Sequence, residues 1–317
     1  MLPRKTFIVR TLGAAFAGTA LLFTSCSKNA ADTSASASGS GLKIGISFQE
    51  MNNPYFVTMK QSAEEAAASI GAKLFVVDAA HDVSKQINDI EDLIQKGIDI
   101  LIINPTDSSG VESAVKDAKK AGVVVVAVDA QADGPIDAFV GSKNYDAGLQ
   151  AGEYLAQHLK GQGKVAILDG IPVVPILERV RGFKDAVAKH PGITIVATQN
   201  GKQERATSLS VTENMIQSAP DLNGIFSVND GGALGALSAI EASGRDIALV
   251  SVDGFSEAVT AIEKGGAFKA TSAQFPRDQI RIALGIALAK YWGANVPATV
   301  PVDVKLITKE NAKGFSW

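Results

Sequence analysis

The sequence predicts an α/β protein made of two doubly wound parallel sheets. From Leu42 onward, short apolar runs rich in β-formers alternate with amphipathic helical stretches, the signature of repeated β-α units. The runs are continuously apolar, as expected for parallel strands covered on both faces. There are also too many of them for one comfortable open sheet: a complete set of units ends near Ser142, and a second set runs from Tyr145 to Gln274.

The expected strands of the first set are Lys43–Phe48, Lys73–Asp78, Ile100–Asn104, Val123–Asp129 and Phe139–Gly141. Those of the second are Lys164–Asp169, Thr194–Gln199, Gly224–Asn229, Ala248–Asp253 and Lys269–Gln274. The gaps carry helical periods. Met59, Ala63, Ala66, Ala67 and Ile70 fall on one helix face, and Ile87, Ile90, Leu93 and Ile94 on another. A last helix, Gln279 to Tyr291, precedes a Pro-flanked strand, Val300-Pro301-Val302-Asp303-Val304, which can pack on either half.

The amino end reads as an export signal. Arg4, Lys5 and Arg10 precede an apolar run from Leu12 to Phe23, and small residues follow. The run is shorter than the roughly 20 apolar residues of a spanning helix. Cys26, the single cysteine, comes directly after it. The segment Phe23-Thr24-Ser25-Cys26 resembles the lipobox of bacterial lipoproteins, with Phe23 where that motif usually has Leu. The resemblance implies a signal peptide over 1–25, cut before Cys26, and a lipid on the Cys26 thiol; the alternative is an ordinary secretory leader. Residues 26–41 are Ala, Ser, Thr and Gly for the most part, a flexible tether of a few tens of ångströms. The expected location is therefore periplasmic or cell-surface, anchored to a membrane through lipid.

Composition excludes several classes. The net charge of −3 becomes −6 without the leader's three basic residues, so no nucleic-acid surface is expected. One cysteine allows no disulfide framework and no thiolate metal site. His81, His158 and His190 are scattered, and no metal site is expected from them. There is no phosphate-binding P-loop, no G-x-G-x-x-G after a strand, no H-E-x-x-H and no G-x-S-x-G. The cluster Gly231-Gly232-Ala233-Leu234-Gly235 reads as close helix packing. Asp129 and Asp253 could form a glycosidase pair, but amides along the same crevice point to recognition. The reading is a binding protein with no catalytic residues and no cofactor.

The strand ends carry the functional signal. Asn104, Asp129, Asn229, Asp253 and Gln274 each close an expected strand. Ligands of open α/β sheets sit outside the carboxyl ends of the strands, so these side chains converge on one crevice unless each merely caps the following helix. Carboxylates and amides suit the paired donor and acceptor hydroxyls of a sugar or polyol. The cluster Asn52-Asn53-Pro54-Tyr55-Phe56 follows the first strand, and its aromatic pair offers a face for a sugar ring or a contact with the core.

These residues together are similar to the periplasmic ribose-binding proteins, within the sugar-binding receptors of ABC importers. The resemblance runs from Leu42 to about Thr308. It rests on Asn52-Asn53-Pro54-Tyr55-Phe56, Ile103-Asn104-Pro105-Thr106-Asp107, Val228-Asn229-Asp230 with Ala233-Leu234-Gly235-Ala236-Leu237, Val252-Asp253-Gly254, Ala273-Gln274 and Pro301-Val302-Asp303-Val304-Lys305-Leu306. It implies two lobes joined by a three-strand hinge that close around a sugar. The crossings would fall near Ser142–Asn144, Gln274–Pro276 and Val302–Asp303. Residues 42–142 with 276–302 would form the first lobe, and 143–275 with 303–317 the second. The ligand contacts it implies are Asn53, Tyr55, Phe56, Asn104 and Asp129 on the first lobe, with Asn229, Asp253 and Gln274 on the second lobe and hinge.

The chain departs from the family at informative positions. Ala130 stands where the ribose receptors have an arginine beside the aspartate, and Leu177 stands in place of a second. Arg179, in a loop one residue shorter, is the candidate substitute. Val252 replaces the aromatic before Asp253. Losing arginine forks makes ribose itself doubtful and admits another pentose, a deoxy sugar, a linear polyol or an amino sugar. The expectation is a monomeric receptor that hands a monosaccharide or polyol to the membrane subunits of an ABC importer. The alternatives are a receptor for chemotaxis or a sensor kinase, an extracytoplasmic enzyme, and a sugar-responsive repressor, for which the expected helix-turn-helix head is missing.

Overall fold

The computed structural model describes residues 41–317. The expected signal peptide, Cys26 and the tether up to residue 40 lie outside the described residues. The body over which the chain folds contains two six-stranded sheets. The first receives β1 (Lys43–Phe48), β2 (Lys73–Asp78), β3 (Ile100–Ile103), β4 (Val124–Val128) and β5 (Ala138–Ser142). The second receives β6 (Gln162–Asp169), β7 (Gly192–Asn200), β8 (Leu222–Ser227), β9 (Ala248–Asp253) and β10 (Phe268–Ala273). The chain then returns β11 (Thr299–Val302) to the first sheet and gives β12 (Lys305–Thr308) to the second. The orders are β11-β5-β4-β3-β1-β2 and β12-β10-β9-β8-β6-β7. All pairings are parallel except β12 on β10.

Helices link the strands: α1 (Pro54–Ser69), α2 (Val83–Gln95) and α3 (Glu112–Lys120) in the first lobe, then α4 (Asn144–His158), α5 (Val174–Ala188), α6 (Arg205–Ser218), α7 (Asp230–Ser243) and α8 (Ser256–Lys264) in the second. Finally α9 (Pro276–Tyr291) packs on α1 and on β3, β4 and β5. Local chemistry sets the starts. Asn53 caps α1 by accepting from the Tyr55 N–H, with Pro54 at the first helical position. Asp82 caps α2 through the Ser84 and Lys85 N–H groups, and Asn229 caps α7 through that of Gly232.

One element differs from expectation. The Pro-flanked run is two strands rather than one, because it breaks at Asp303 and Val304 and pairs once in each sheet. Pro301 is tolerated because β11 is an edge strand, where a missing N–H need not interrupt a ladder. The chain therefore crosses between the sheets after Ser142, after Ala273 and after Val302.

Sandwiched sheets demand apolar cover on both faces. Leu101, Ile103 and Val125 are buried with Ile90, Leu93 and Val115 of α2 and α3. Ile167, Phe226 and Val250 are buried with Ala151, Leu155 and Phe183 of α4 and α5. The remaining faces run into a single cluster that includes Ile102 and Val126 of the first sheet and Leu168 and Leu249 of the second. The glycine at 235 has a packing cause: a Cβ there would collide with the Arg205 carbonyl of α6, so α6 and α7 approach backbone to backbone.

Candidate functional site

Strands of both sheets end at the junction of the lobes, and the polar side chains at those ends form a buried cluster. From the first sheet, Asn104 follows β3 and Asp129 follows β4. Asn104 Nδ2 reaches Asp129 Oδ2 at 3.4 Å, and Asn104 Oδ1 accepts from the Gln49 N–H at 3.2 Å. From the second sheet, Asp253 ends β9 and Gln274 follows β10. Gln274 Nε2 donates to Asp253 Oδ1 at 2.8 Å. Arg179, on α5, donates from Nη1 to the same oxygen at 3.4 Å, from Nη1 to the Val228 carbonyl at 2.9 Å, and from Nε to Asn144 Oδ1 at 2.8 Å. Both aspartates are nearly inaccessible, Asp129 at 7% exposure and Asp253 at 5%.

The backbone is unusual at the same two residues. Asp129 has φ +64° and Asp253 has φ +136°. Aspartate tolerates the left-handed region, but the Asp253 geometry is sparsely populated for any side chain. Such conformations persist only when the surroundings fix them. Here the Asp253 carboxylate and its carbonyl are both held: the carboxylate by Gln274, Arg179 and the Asp230 N–H, the carbonyl by the Gln274 N–H and Trp317 Nε1.

Charges across the lobe boundary feel one another. Burial pushes the Asp129 carboxyl up to about 6; Arg179 pulls the other way, Asp253 adds to the rise, and the Tyr55 hydroxyl and Asn104 favour the charged form. Burial also raises Asp253, opposed by Arg179 and Gln274. Tyr55, at the start of α1, is raised by burial and then by Asp129. The two carboxylates thus share one environment of low polarity, with Arg179 as the balancing cation.

The remaining expected residues occupy distinct places. Asn53 spends its side-chain oxygen on the α1 cap and directs Nδ2 at Glu50, 3.4 Å away. Phe56 packs into the core against Phe48 and Tyr55. Asn229 uses its oxygen as the α7 cap and donates to the Gln203 carbonyl at 3.2 Å. Tyr55, Asn104, Asp129, Arg179, Asp253 and Gln274 are brought together; Asn53, Phe56 and Asn229 serve helix starts or the core around them. Leu177 is half-exposed on α5.

Two further residues belong to this region. Asp230, fully buried, accepts from the Gly254 and Phe255 N–H groups at 2.8 and 2.7 Å, from Thr271 Oγ1 at 2.8 Å and from Ser251 Oγ. Burial, with Asp253 next, raises its carboxyl to about 7. It pins the turn beneath Asp253. Gln279, in the first turns of α9, joins Tyr55 Oη at 2.7 Å and Ser142 Oγ at 2.5 Å. In sequence Asp230 reads as an ordinary acid at a helix start, and Gln279 as the first residue of an amphipathic helix.

A cavity of about 310 Å³ opens beside the cluster. Asp129, Ser142, Asn144, Tyr145, Val174 and Glu178 are among its walls. It shares Asp129, Ser142 and Asn144 with the hydrogen-bonded group above. Among the described residues no cluster of His, Cys, Asp and Glu is arranged to hold a metal ion.

Two α/β lobes meeting over a shared polar cluster define a two-lobed binding protein. The chain belongs to the periplasmic binding protein domain family, whose model matches residues 44–293. It is 39% identical over 269 residues to the ribose import binding protein RbsB of Bacillus subtilis, covering 84% of this chain and 87% of that one. Solved structures agree. An ABC transporter solute-binding protein of Mycobacterium smegmatis with bound glycerol superposes with a TM-score of 0.82 at 34% identity, covering 86% of this chain and 96% of that one. An Actinobacillus succinogenes periplasmic solute-binding protein with bound D-allose gives a TM-score of 0.82 at 31% identity, covering 86% of this chain and all of that one (100%).

Proposed function

We propose that this protein is an extracytoplasmic solute-binding lipoprotein that captures a monosaccharide or related polyol between its lobes and delivers it to an ABC importer. The observation that carries the reading is the meeting of Asp129, from the first sheet, with Asp253 and Arg179, from the second, in one buried environment. A ligand bonded to both lobes binds the closed form better than the open one and shifts the population toward it. Contacts to one lobe alone would not.

The donor and acceptor inventory favours hydroxyls. Asp253 can only accept when ionised, so the Gln274 amide must turn its NH₂ toward it. This leaves Gln274 Oε1 buried without a donor among the described residues, an acceptor whose isolation is costly and which a ligand hydroxyl satisfies. Asp129 offers carboxylate oxygens to which, among the described residues, no cation is bonded directly. Arg179 is largely spent within its own lobe, which distinguishes this site from one with free arginine forks at 130 and 177.

Calorimetric titration of the purified protein against D-ribose, D-allose, myo-inositol, glycerol and D-glucosamine tests the reading. A neutral sugar or polyol should bind tightly with one-to-one stoichiometry. No heat from any member of the panel contradicts it. The lipid anchor is tested separately: Cys26→Ser should move the protein from the membrane fraction to the soluble extract.

A further inference from the structure

The segment after β12 leaves the second sheet and ends between the lobes. Ala312 is buried and Phe315 packs edge-on to Phe275, ring centroids 6.3 Å apart, which fixes the path of the segment. Trp317 then inserts its indole among residues of both lobes. On the second-lobe side, Nε1 donates to the Asp253 carbonyl at 3.1 Å, and the ring meets Phe255 at 5.4 Å and 87°. On the first-lobe side, the same ring meets Tyr55 at 5.9 Å and 88°, and its carbonyl accepts from Arg277 Nε of α9 at 3.2 Å. Both aromatic contacts are edge-to-face, a favourable geometry.

We propose that Trp317 is a binding-site residue that latches the lobes together over Tyr55 and Asp253. Its two partners on each lobe make it a noncovalent fourth connection beside the three covalent crossings. It holds two groups that matter to recognition. Tyr55 bonds Gln279 and supports the charged form of Asp129. The Asp253 carbonyl belongs to the residue with the sparsely populated backbone, and the Trp317 N–H is one of two donors that fix it. Opening the lobes must break either the Tyr55 and Arg277 contacts or the Phe255 and Asp253 contacts. A site that closes with Trp317 in place is therefore roofed on this side by an indole instead of solvent. The indole also shields the Asp253 carbonyl at Gly254, where even a Cβ would come within 3.1 Å of Nε1. The latch rests on the proposed sugar reading for its role in affinity, but its effect on lobe closure does not need a ligand.

The test pairs small-angle X-ray scattering of the free protein with calorimetry, for the parent, Trp317→Ala and Trp317→Phe. Trp317→Phe retains an aromatic ring and loses the N–H bond with part of the indole's packing, a milder change that guards against a variant that simply folds badly. The latch predicts a larger radius of gyration for free Trp317→Ala than for the parent, with Trp317→Phe between them. It also predicts about tenfold weaker binding of whichever panel sugar the parent binds, from two aromatic contacts and one hydrogen bond lost. Superimposable scattering curves for parent and Trp317→Ala overturn the latch, as does an unchanged affinity. A panel with no binder contradicts the sugar reading, and the scattering comparison then decides the latch alone.

Discussion

Arg179 Nη1 lies 3.4 Å from Asp253 Oδ1, with both side chains almost wholly buried. The pair is the electrostatic centre of the second lobe's half of the site, because Asp253 also faces Asp230. Breaking a buried pair from one side leaves an uncompensated charge. Arg179→Met should therefore destabilise the protein by about 3 kcal/mol or more, measured by urea unfolding. The double variant Arg179→Met with Asp253→Asn should recover a large part of that loss, and a purely additive double variant would contradict the pairing.

Asp129 gives a stability effect of defined sign. Its carboxyl is raised from 3.8 to about 6 by burial, so the folded state takes up a proton more readily than the unfolded one. The stability it contributes is fully present below the ordinary carboxylate range and is lost as pH rises through about 6. The loss is on the order of 3 kcal/mol for a shift of about two units. Thermal melts from pH 4 to 8 should show Asp129→Asn gaining on the parent across this window. A constant difference between the two would contradict it.

Ligand affinity should move the other way. A hydroxyl donating to Asp129 favours its ionised form, so binding should strengthen as pH rises through about 6 and release a fraction of a proton below it. Calorimetry in buffers of different ionisation enthalpy measures that release directly, and Asp129→Asn should abolish it.

Gly235 separates fold from function. Gly235→Ala forces α6 and α7 apart because the new Cβ meets the Arg205 backbone. It should cost about 1–3 kcal/mol of stability by urea unfolding while leaving affinity at 25 °C unchanged in the folded fraction.

Much of the architecture was legible because strand burial writes itself into sequence. Lys43–Phe48, Lys73–Asp78 and Ala248–Asp253 begin and end where their apolar runs do. The division of residues 299–308 between β11 and β12 was not, since a two-residue break and the choice of sheet depend on partners far away in the chain. Asn104, Asp129, Asp253 and Gln274 announced themselves as polar residues at strand ends. The left-handed backbone of Asp129 did not, because it is followed by Ala130 rather than a turn-forming glycine, and neither did the sparsely populated backbone of Asp253. Asn229 shows the ambiguity of such positions: the same strand-end asparagine is a helix cap, with its amide bonded to Gly232 and Gln203. Trp317 carried no local pattern at all, since its partners Tyr55, Phe255 and Arg277 are assembled only by the tertiary fold.

The most direct test of the account is a crystal structure of the protein with the tightest-binding panel sugar. The account predicts one sugar molecule with hydroxyls in hydrogen-bond distance of both Asp129 and Asp253 and of Gln274 Oε1. A sugar lodged on one lobe, or held against Tyr145 and Glu178 with both aspartates untouched, would contradict it.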